Sequence, residues 1–307
     1  MNSLKEDLES YLTMRRNLGF KLREHGTALS DFVSFLEQKG ASHITTNLAL
    51  EWAQKPIACR PAYWASRLRY VRGFASYRSA SDNRTEIPAS GLLPYRPQRA
   101  RPYIYTDHEI QQLLDAALNY SRTTLFKRQT YYCLLGLLAV TGMRISEVLA
   151  LKLKNVDLKT GLLTVEGSKF GKSRLVPLHV STQERLAAFI LQRKKFLRGQ
   201  KSEYFFVSNL GNHLDKGQVA RAFYALSRQV GLRGKKSSSG PRLHDFRHAM
   251  ATKVLRQWYQ NGENVEASLP ILSTFLGHVH VSDTYWYLSA CPDLMGEVVS
   301  RLESWWG

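Results

Sequence analysis

Between residues 82 and 102 the chain carries Pro88, Pro94, Pro97 and Pro102, with Gly91, Arg96, Arg99 and Arg101 among them. Each proline fixes φ and lacks a backbone N–H, so neither a helix nor a central strand runs through such a stretch. The segment reads as an extended, basic linker. It divides the 307 residues into an N-terminal domain, 1–84, a linker, 85–102, and a second domain, 103–307, with a C-terminal tail over 291–307. Two domains also agree with a prior of roughly 100–200 residues each.

The charge points to the partner. Lys and Arg number 43 against 25 Asp and Glu, a net charge of +18 and a pI near 9.9. Such an excess suits a polyanion, nucleic acid first and an anionic membrane surface second. Residues 1–59 hold seven basic and seven acidic side chains, whereas 60–101 hold nine basic ones against Asp82 and Glu86. A basic linker between two basic domains suggests a strap around something negatively charged. Hydrophobic residues make up 44%, enough for a sizeable core, which excludes wholesale disorder. Cys59, Cys133 and Cys291 lie far apart with no CxxC pair, so neither a disulfide framework nor a zinc site is expected. The start, MNSLKEDLES, is unlike a signal peptide, and the longest apolar run, Tyr131 to Val140, is about half a bilayer span. The expectation is a cytoplasmic protein without a membrane partner.

Local patterns make the chain mainly α with a small β-sheet. Apolar residues recur at helical spacing in Leu4, Leu8, Tyr11 and Leu12, and again in Leu29, Phe32, Val33 and Leu36. A short helix around Leu48, Leu50 and Trp52 follows, then a fourth from Pro61 to Tyr77. In that fourth helix Arg67, Arg69, Arg72 and Arg78 alternate with aromatics. The aromatics read as core, and Arg67 and Arg72 as phosphate contacts. Thr106 and Glu109 have capping-box spacing and open a helix. Gly161 to Glu166 and Arg174 to Leu178 read as two strands joined by the cationic turn Gly167–Ser173, which carries Lys169 and Lys172. Gly231 to Gly240, with Lys235 and Lys236, reads as a flexible basic loop.

Five further segments carry reactive side chains: Thr141-Gly-Met-Arg144-Ile-Ser-Glu147, the Lys169 turn, His244-Asp-Phe-Arg247-His248, Leu276-Gly277-His278, and Tyr285-Trp-Tyr287. Singly each is weak; Arg144 and Glu147, three apart, suit any helical ion pair. Together, and in this order, they resemble the tyrosine recombinases, or phage integrases. The Tyr-Trp-Tyr-Leu ending is also similar to recombinases borne on transposons and other mobile elements.

The resemblance implies a fold, a reaction and a set of roles. The fold would pair a helical, SAM-like, DNA-clamping N-terminal domain with an α+β catalytic domain. The reaction would be site-specific DNA recombination, as in integration or transposition, through a 3′-phosphotyrosine. Arg144 and Arg247 would clamp the phosphate, and Glu147 would hold Arg144. Lys169 would protonate the leaving oxygen, His244 would relay the tyrosine proton, His278 would bond a phosphate oxygen, and Tyr287 would attack. Such chemistry suits fixed cations facing a charge-spread transition state. Tyr285 competes with Tyr287 as nucleophile, and Lys172 with Lys169 as general acid. His248 reads as structural and His280 as surface. Arg67, Arg72, Arg99, Arg101, Lys172, Lys235 and Lys236 would contact double-stranded DNA.

No cofactor or metal is expected, since phosphate-loop, HExxH and carboxylate-cluster motifs are missing from the sequence. Val298, Leu302, Trp305 and Trp306 give the tail an apolar face, and docking it in a neighbour would build a homotetramer. Such an enzyme would work in a bacterial cytoplasm, associated with the nucleoid when bound. Two other functions stay open at this level: a type IB-like topoisomerase, and a non-catalytic DNA-binding regulator on the same fold.

Overall fold

The computed structural model describes residues 3–94, 101–167, 173–237 and 239–290, with isolated positions 296, 299 and 303. The chain forms two compact units, Met1–Ala100 and Arg101–Gly307.

Four helices build the first unit among the described residues: α1 (Leu4–Asn17), α2 (Arg23–Gln38), α3 (Thr46–Gln54) and α4 (Pro61–Arg78). Ser3 and Glu6 close a reciprocal capping box on α1, satisfying donors that the first helical turn leaves unpaired. Pro61 starts α4, where its missing N–H costs nothing. Leu8, Leu12, Phe32, Leu36, Trp52, Leu68 and Phe74 meet in one core. Full burial of each Phe or Leu contributes roughly 1.5–3 kcal/mol.

Three arginines of α4 are absorbed by this packing. Arg78 is 2% exposed and pairs with Asp7 at 2.9 Å and Asp82 at 3.4 Å. Arg67 is also buried; its guanidinium lies 3.6 Å from the Trp52 ring centre and donates to the Trp52 carbonyl at 3.1 Å. The expected phosphate contact at Arg67 is therefore corrected: a side chain fixed inside the domain cannot reach a duplex. Arg72, half-buried, donates through Nε to the Pro88 carbonyl and through Nη2 to the Ala89 carbonyl, both at 2.7 Å. Glu86 accepts from the Thr46 N–H at 2.7 Å and Leu93 is buried in the core, so the start of the proline-bearing segment is tied to the first unit.

The second unit runs α5 (Asp107–Leu118), α6 (Leu125–Thr141), α7 (Ile145–Ala150), a sheet, then α8 (Val180–Leu197), α9 (Lys216–Gln229), α10 (Asp245–Gln260), α11 (Val265–Leu276) and α12 (Ser282–Ala290). The Thr106–Glu109 capping box opens α5. The sheet is an antiparallel meander of β1 (Val156–Asp157), β2 (Leu162–Val165) and β3 (Arg174–Pro177). Leu163 lies opposite Val176 and Val165 opposite Arg174, so alternate residues of β2 point into the core. The two-residue β1 is legible only through its pairing with β2. Helix α6 is the hub: Leu134, Leu135, Leu137 and Leu138 are buried against α5, α8 and α10. A smaller cluster of Ala251, Leu255, Leu269, Leu272, Leu276 and Tyr287 joins α10, α11 and α12. No helix among the described residues is long and apolar enough to cross a membrane.

Candidate active site

Gly142 ends α6 in the left-handed region, φ 59°. A Cβ there would meet Leu276 at 3.1 Å and the Met250 sulfur at 3.3 Å, so both backbone and space call for glycine. The turn delivers Arg144 to the start of α7. Its Nη1 donates to Glu147 Oε1 at 2.8 Å, its Nη2 to the Gly277 carbonyl at 3.0 Å, and its backbone N–H to Glu147 Oε2 at 2.9 Å. The side chain keeps 26% of its surface open.

Arg247, in the first turn of α10, is 2% exposed. Its Nη1 donates to the Gly142 carbonyl at 2.9 Å, while Nη2 is buried with no hydrogen-bond partner. Burial, helped by the Arg144 charge, lowers its pKa to about 10, and the neighbouring Tyr287 hydroxyl opposes that shift. A buried guanidinium with an unspent donor is costly unless an anion meets it.

His278 follows Gly277, which ends α11 at φ 70°. Its Nδ1 lies 2.7 Å from the Thr284 hydroxyl. Burial, then the charges of Arg247 and Arg144, lower its pKa to about 4. Tyr287, on α12, is 3% exposed. Its ring is stacked with His278 at 5.9 Å and lies edge-on to His248 at 5.4 Å. Burial raises the phenol pKa, and the Arg247 and Arg144 charges pull against that rise, so both arginines favour the phenolate. Tyr285, two residues earlier, is 48% exposed.

His244, exposed at the start of α10, meets the His248 ring edge-on at 4.8 Å. Partial enclosure, then Arg247, lowers its pKa. His248 is 8% exposed with a buried, unpartnered Nδ1, and burial, then His244, lowers its pKa to about 4. Glu147 also takes two bonds from Arg174, at 3.1 and 2.8 Å. Burial would raise its pKa, but these bonds and the Arg144 backbone N–H bring it down to about 2.

Arg144, Glu147, Arg247, His278 and Tyr287 thus share one locus, with His244 at its edge. Sequence reasoning missed Arg174 and Thr284, and His248 touches the tyrosine ring. Lys169, Lys172 and Arg99 lie outside the described residues, as does nearly all of the 291–307 tail. Arg101, Lys235 and Lys236 are exposed. The loop bearing the two lysines is pinned by buried Arg233, which donates to the Ser239 and Pro241 carbonyls at 3.0 and 2.6 Å. His280 is exposed, as expected. Among the described residues no three His, Cys, Asp or Glu side chains are grouped to hold a metal ion.

Two cationic side chains, a buried phenol and a histidine around one point describe a phosphoryl-transfer site, and residues 104–292 match the phage integrase family. The chain belongs to the phage integrase family. Its likeness to named members runs through both units. It is 54% identical to the integrase/recombinase y4rB of Sinorhizobium fredii, over 100% of this chain and 99% of that protein. It is 28% identical to tyrosine recombinase XerD of Caulobacter vibrioides, over 91% of this chain and 88% of that one. In fold it resembles the Tn1549 transposon integrase, solved with transposon right end DNA, at a TM-score of 0.67 and 17% identity, covering 98% of this chain and 100% of that one. The protein is a tyrosine recombinase, an enzyme of DNA strand breakage and rejoining. Its architecture, mainly helical with one small sheet, is that of the family.

Proposed function

We propose that Tyr287 is the nucleophile of site-specific recombination on double-stranded DNA. Its phenolate attacks the scissile phosphorus, the bond to the 5′ oxygen breaks, and the DNA stays joined to the enzyme as a 3′-phosphotyrosine. Attack by the 5′ hydroxyl of another strand reverses these bonds and releases the tyrosine, so no hydrolysis is needed. Arg144 and Arg247 bind the non-bridging oxygens, and their fixed charge matches the transition state without reorganisation. Glu147 holds Arg144. His278 donates to a phosphate oxygen, His244 relays the tyrosine proton, and Lys169 protonates the leaving 5′ oxygen.

The observation that carries this reading is the buried Arg247 guanidinium beside the buried Tyr287 phenol, which its charge draws towards the phenolate. This sets a fixed cation at the nucleophile, with the Arg144 charge and His278 around the same point.

Exposed Arg101, Lys235 and Lys236, with Arg99 and Lys172, supply phosphate contacts along the duplex. Exchange between two duplexes cuts four strands with one tyrosine each, which calls for a homotetramer, and the 291–307 tail suits a cyclic hand-over between subunits. The setting is the bacterial cytoplasm, on the nucleoid, and the biological role is movement of a mobile element. A topoisomerase or a non-catalytic regulator is the less favoured reading.

A nicked suicide duplex that loses its 5′ hydroxyl after cleavage traps the covalent adduct. Wild-type protein and Tyr285→Phe should form it, and Tyr287→Phe should bind without forming it. Reversal of the two variants moves the nucleophile to Tyr285. Exchange between two labelled duplexes then separates a recombinase from a topoisomerase.

A further inference from the structure

Glu147 serves two arginines at once. Its Oε1 accepts from Arg144 Nη1 at 2.8 Å and from Arg174 Nη1 at 3.1 Å; its Oε2 accepts from the Arg144 backbone at 2.9 Å and from Arg174 Nη2 at 2.8 Å. Arg174 Nε donates to the Phe275 carbonyl at 2.8 Å. Its side chain is 8% exposed. It also fills the space over Gly277, where a Cβ would lie 2.6 Å from its Nη1. Each nitrogen of Arg174 thus makes a hydrogen bond inside the protein, to Glu147 or to the Phe275 carbonyl.

Charge decides what this arrangement does. Arg144 with Glu147 alone is a neutral pair, whose field at the scissile phosphate would be that of a dipole. With Arg174 the trio carries one net positive charge. Arg174 is also the first residue of β3, and its Phe275 bond reaches the last turn of α11, just before Gly277 and His278. One carboxylate thus ties together the start of α7, the start of β3 and, through Arg174, the end of α11.

We propose that Arg174 is a positioning residue for strand cleavage: it offsets the Glu147 charge so that Arg144 faces the phosphate as an uncompensated cation, and it registers the hairpin and the His278 turn against the same carboxylate. The proposal rests on the recombinase reading above.

Single-turnover cleavage of the suicide duplex tests it with Arg174→Met, Arg174→Lys and the double variant Arg174→Met/Glu147→Gln. Each is run on a normal scissile phosphodiester and on a methylphosphonate, which lacks the non-bridging negative charge. Arg174→Met should cleave the phosphodiester about a hundredfold more slowly, with half-site affinity unchanged. Arg174→Lys, which keeps the charge, should lose about tenfold or less. The double variant should recover about tenfold over Arg174→Met, because no carboxylate then neutralises Arg144. On the methylphosphonate the Arg174→Met defect should shrink to about threefold, since the cation has less charge to meet. A purely structural role predicts the same defect on both substrates and no recovery in the double variant. That result overturns the proposal, as does wild-type cleavage by Arg174→Met. If Arg174→Met does not fold, Arg174→Lys and the double variant still decide, through the methylphosphonate comparison. A wild-type protein that forms no adduct on its own element's DNA ends would instead overturn the recombinase reading.

Discussion

The imidazole of His278 lies nearly parallel to the phenol of Tyr287, the planes 21° apart, while its Nδ1 is held 2.7 Å from the hydroxyl of Thr284. Thr284 is fully buried and stands one turn before Tyr287 on α12. The nitrogen that Thr284 engages determines which nitrogen is left for a phosphate. When the hydroxyl donates to Nδ1, the proton sits on Nε2 and His278 is a neutral donor. Helix α12 thus carries the proposed nucleophile and the group that sets the tautomer of its neighbour.

Thr284→Val keeps the shape and removes the hydroxyl. Cleavage should fall about tenfold, the worth of one hydrogen bond, with half-site binding unchanged. Thr284→Ser should retain most of the rate. Equal rates for Val and Ser, measured by single-turnover adduct formation, would remove Thr284 from the mechanism.

Arg247→Ala should slow cleavage by about a thousandfold, because it removes a preorganised, buried cation from the transition state. Arg247→Lys should restore little. A single ammonium cannot bond the Gly142 carbonyl and present a second planar donor at the guanidinium geometry. The salt dependence of binding should stay near that of the wild type, since many other basic side chains contact phosphates.

Arg67 and the loop lysines should separate cleanly. Arg67→Ala should destabilise the N-terminal unit by about 2 kcal/mol through loss of the Trp52 contacts and leave the salt slope alone. Lys235→Ala and Lys236→Ala should leave the melting temperature unchanged, and each should lower the salt slope by about one. An Arg67→Ala variant with normal stability and a reduced slope would return that arginine to the DNA surface.

Acid should destabilise the second unit in two stages. His248 and His278 are held to pKa values of about 4 against an ordinary 6.5. Between those values the unfolded chain binds more protons than the folded one, so stability falls as pH drops from about 6.5 towards 4. Glu147 is held at about 2 against an ordinary 4.5, by Arg174 and Arg144 acting against burial. Its contribution is complete above about 4.5 and is lost as pH falls towards 2. Melting temperatures from pH 7 to pH 3 should show both limbs. His278→Gln should weaken the upper one, and Glu147→Gln the lower one, in each case relative to its own value at pH 7.

Local features of this protein were legible in its sequence because they depend on neighbours a few residues away. Thr106 and Glu109 cap α5 across three positions, and Arg144 pairs with Glu147 across three. The antiparallel strands flanking 167–173 follow from alternation and a glycine-bearing turn. Ordered motifs gave the family, since a few residue types in a fixed order are a property of the chain itself.

Orientation and long-range partnership were decided only by the tertiary structure. Helix α4 offers several arginines, and Arg67 turned inward because Trp52 on α3 and Asp31 on α2 receive it there. Tyr285 and Tyr287 are separated by about 200° around α12, so burying one exposes the other, and packing against His248 and His278 buried Tyr287. Arg174 reads in sequence as one more basic residue at the start of a strand; its partner Glu147 is 27 positions earlier and its carbonyl acceptor on Phe275 is 101 positions later. A charge has meaning for catalysis only through the distance and burial of the charges around it, and the sequence supplies those charges without the fold that sets their separations.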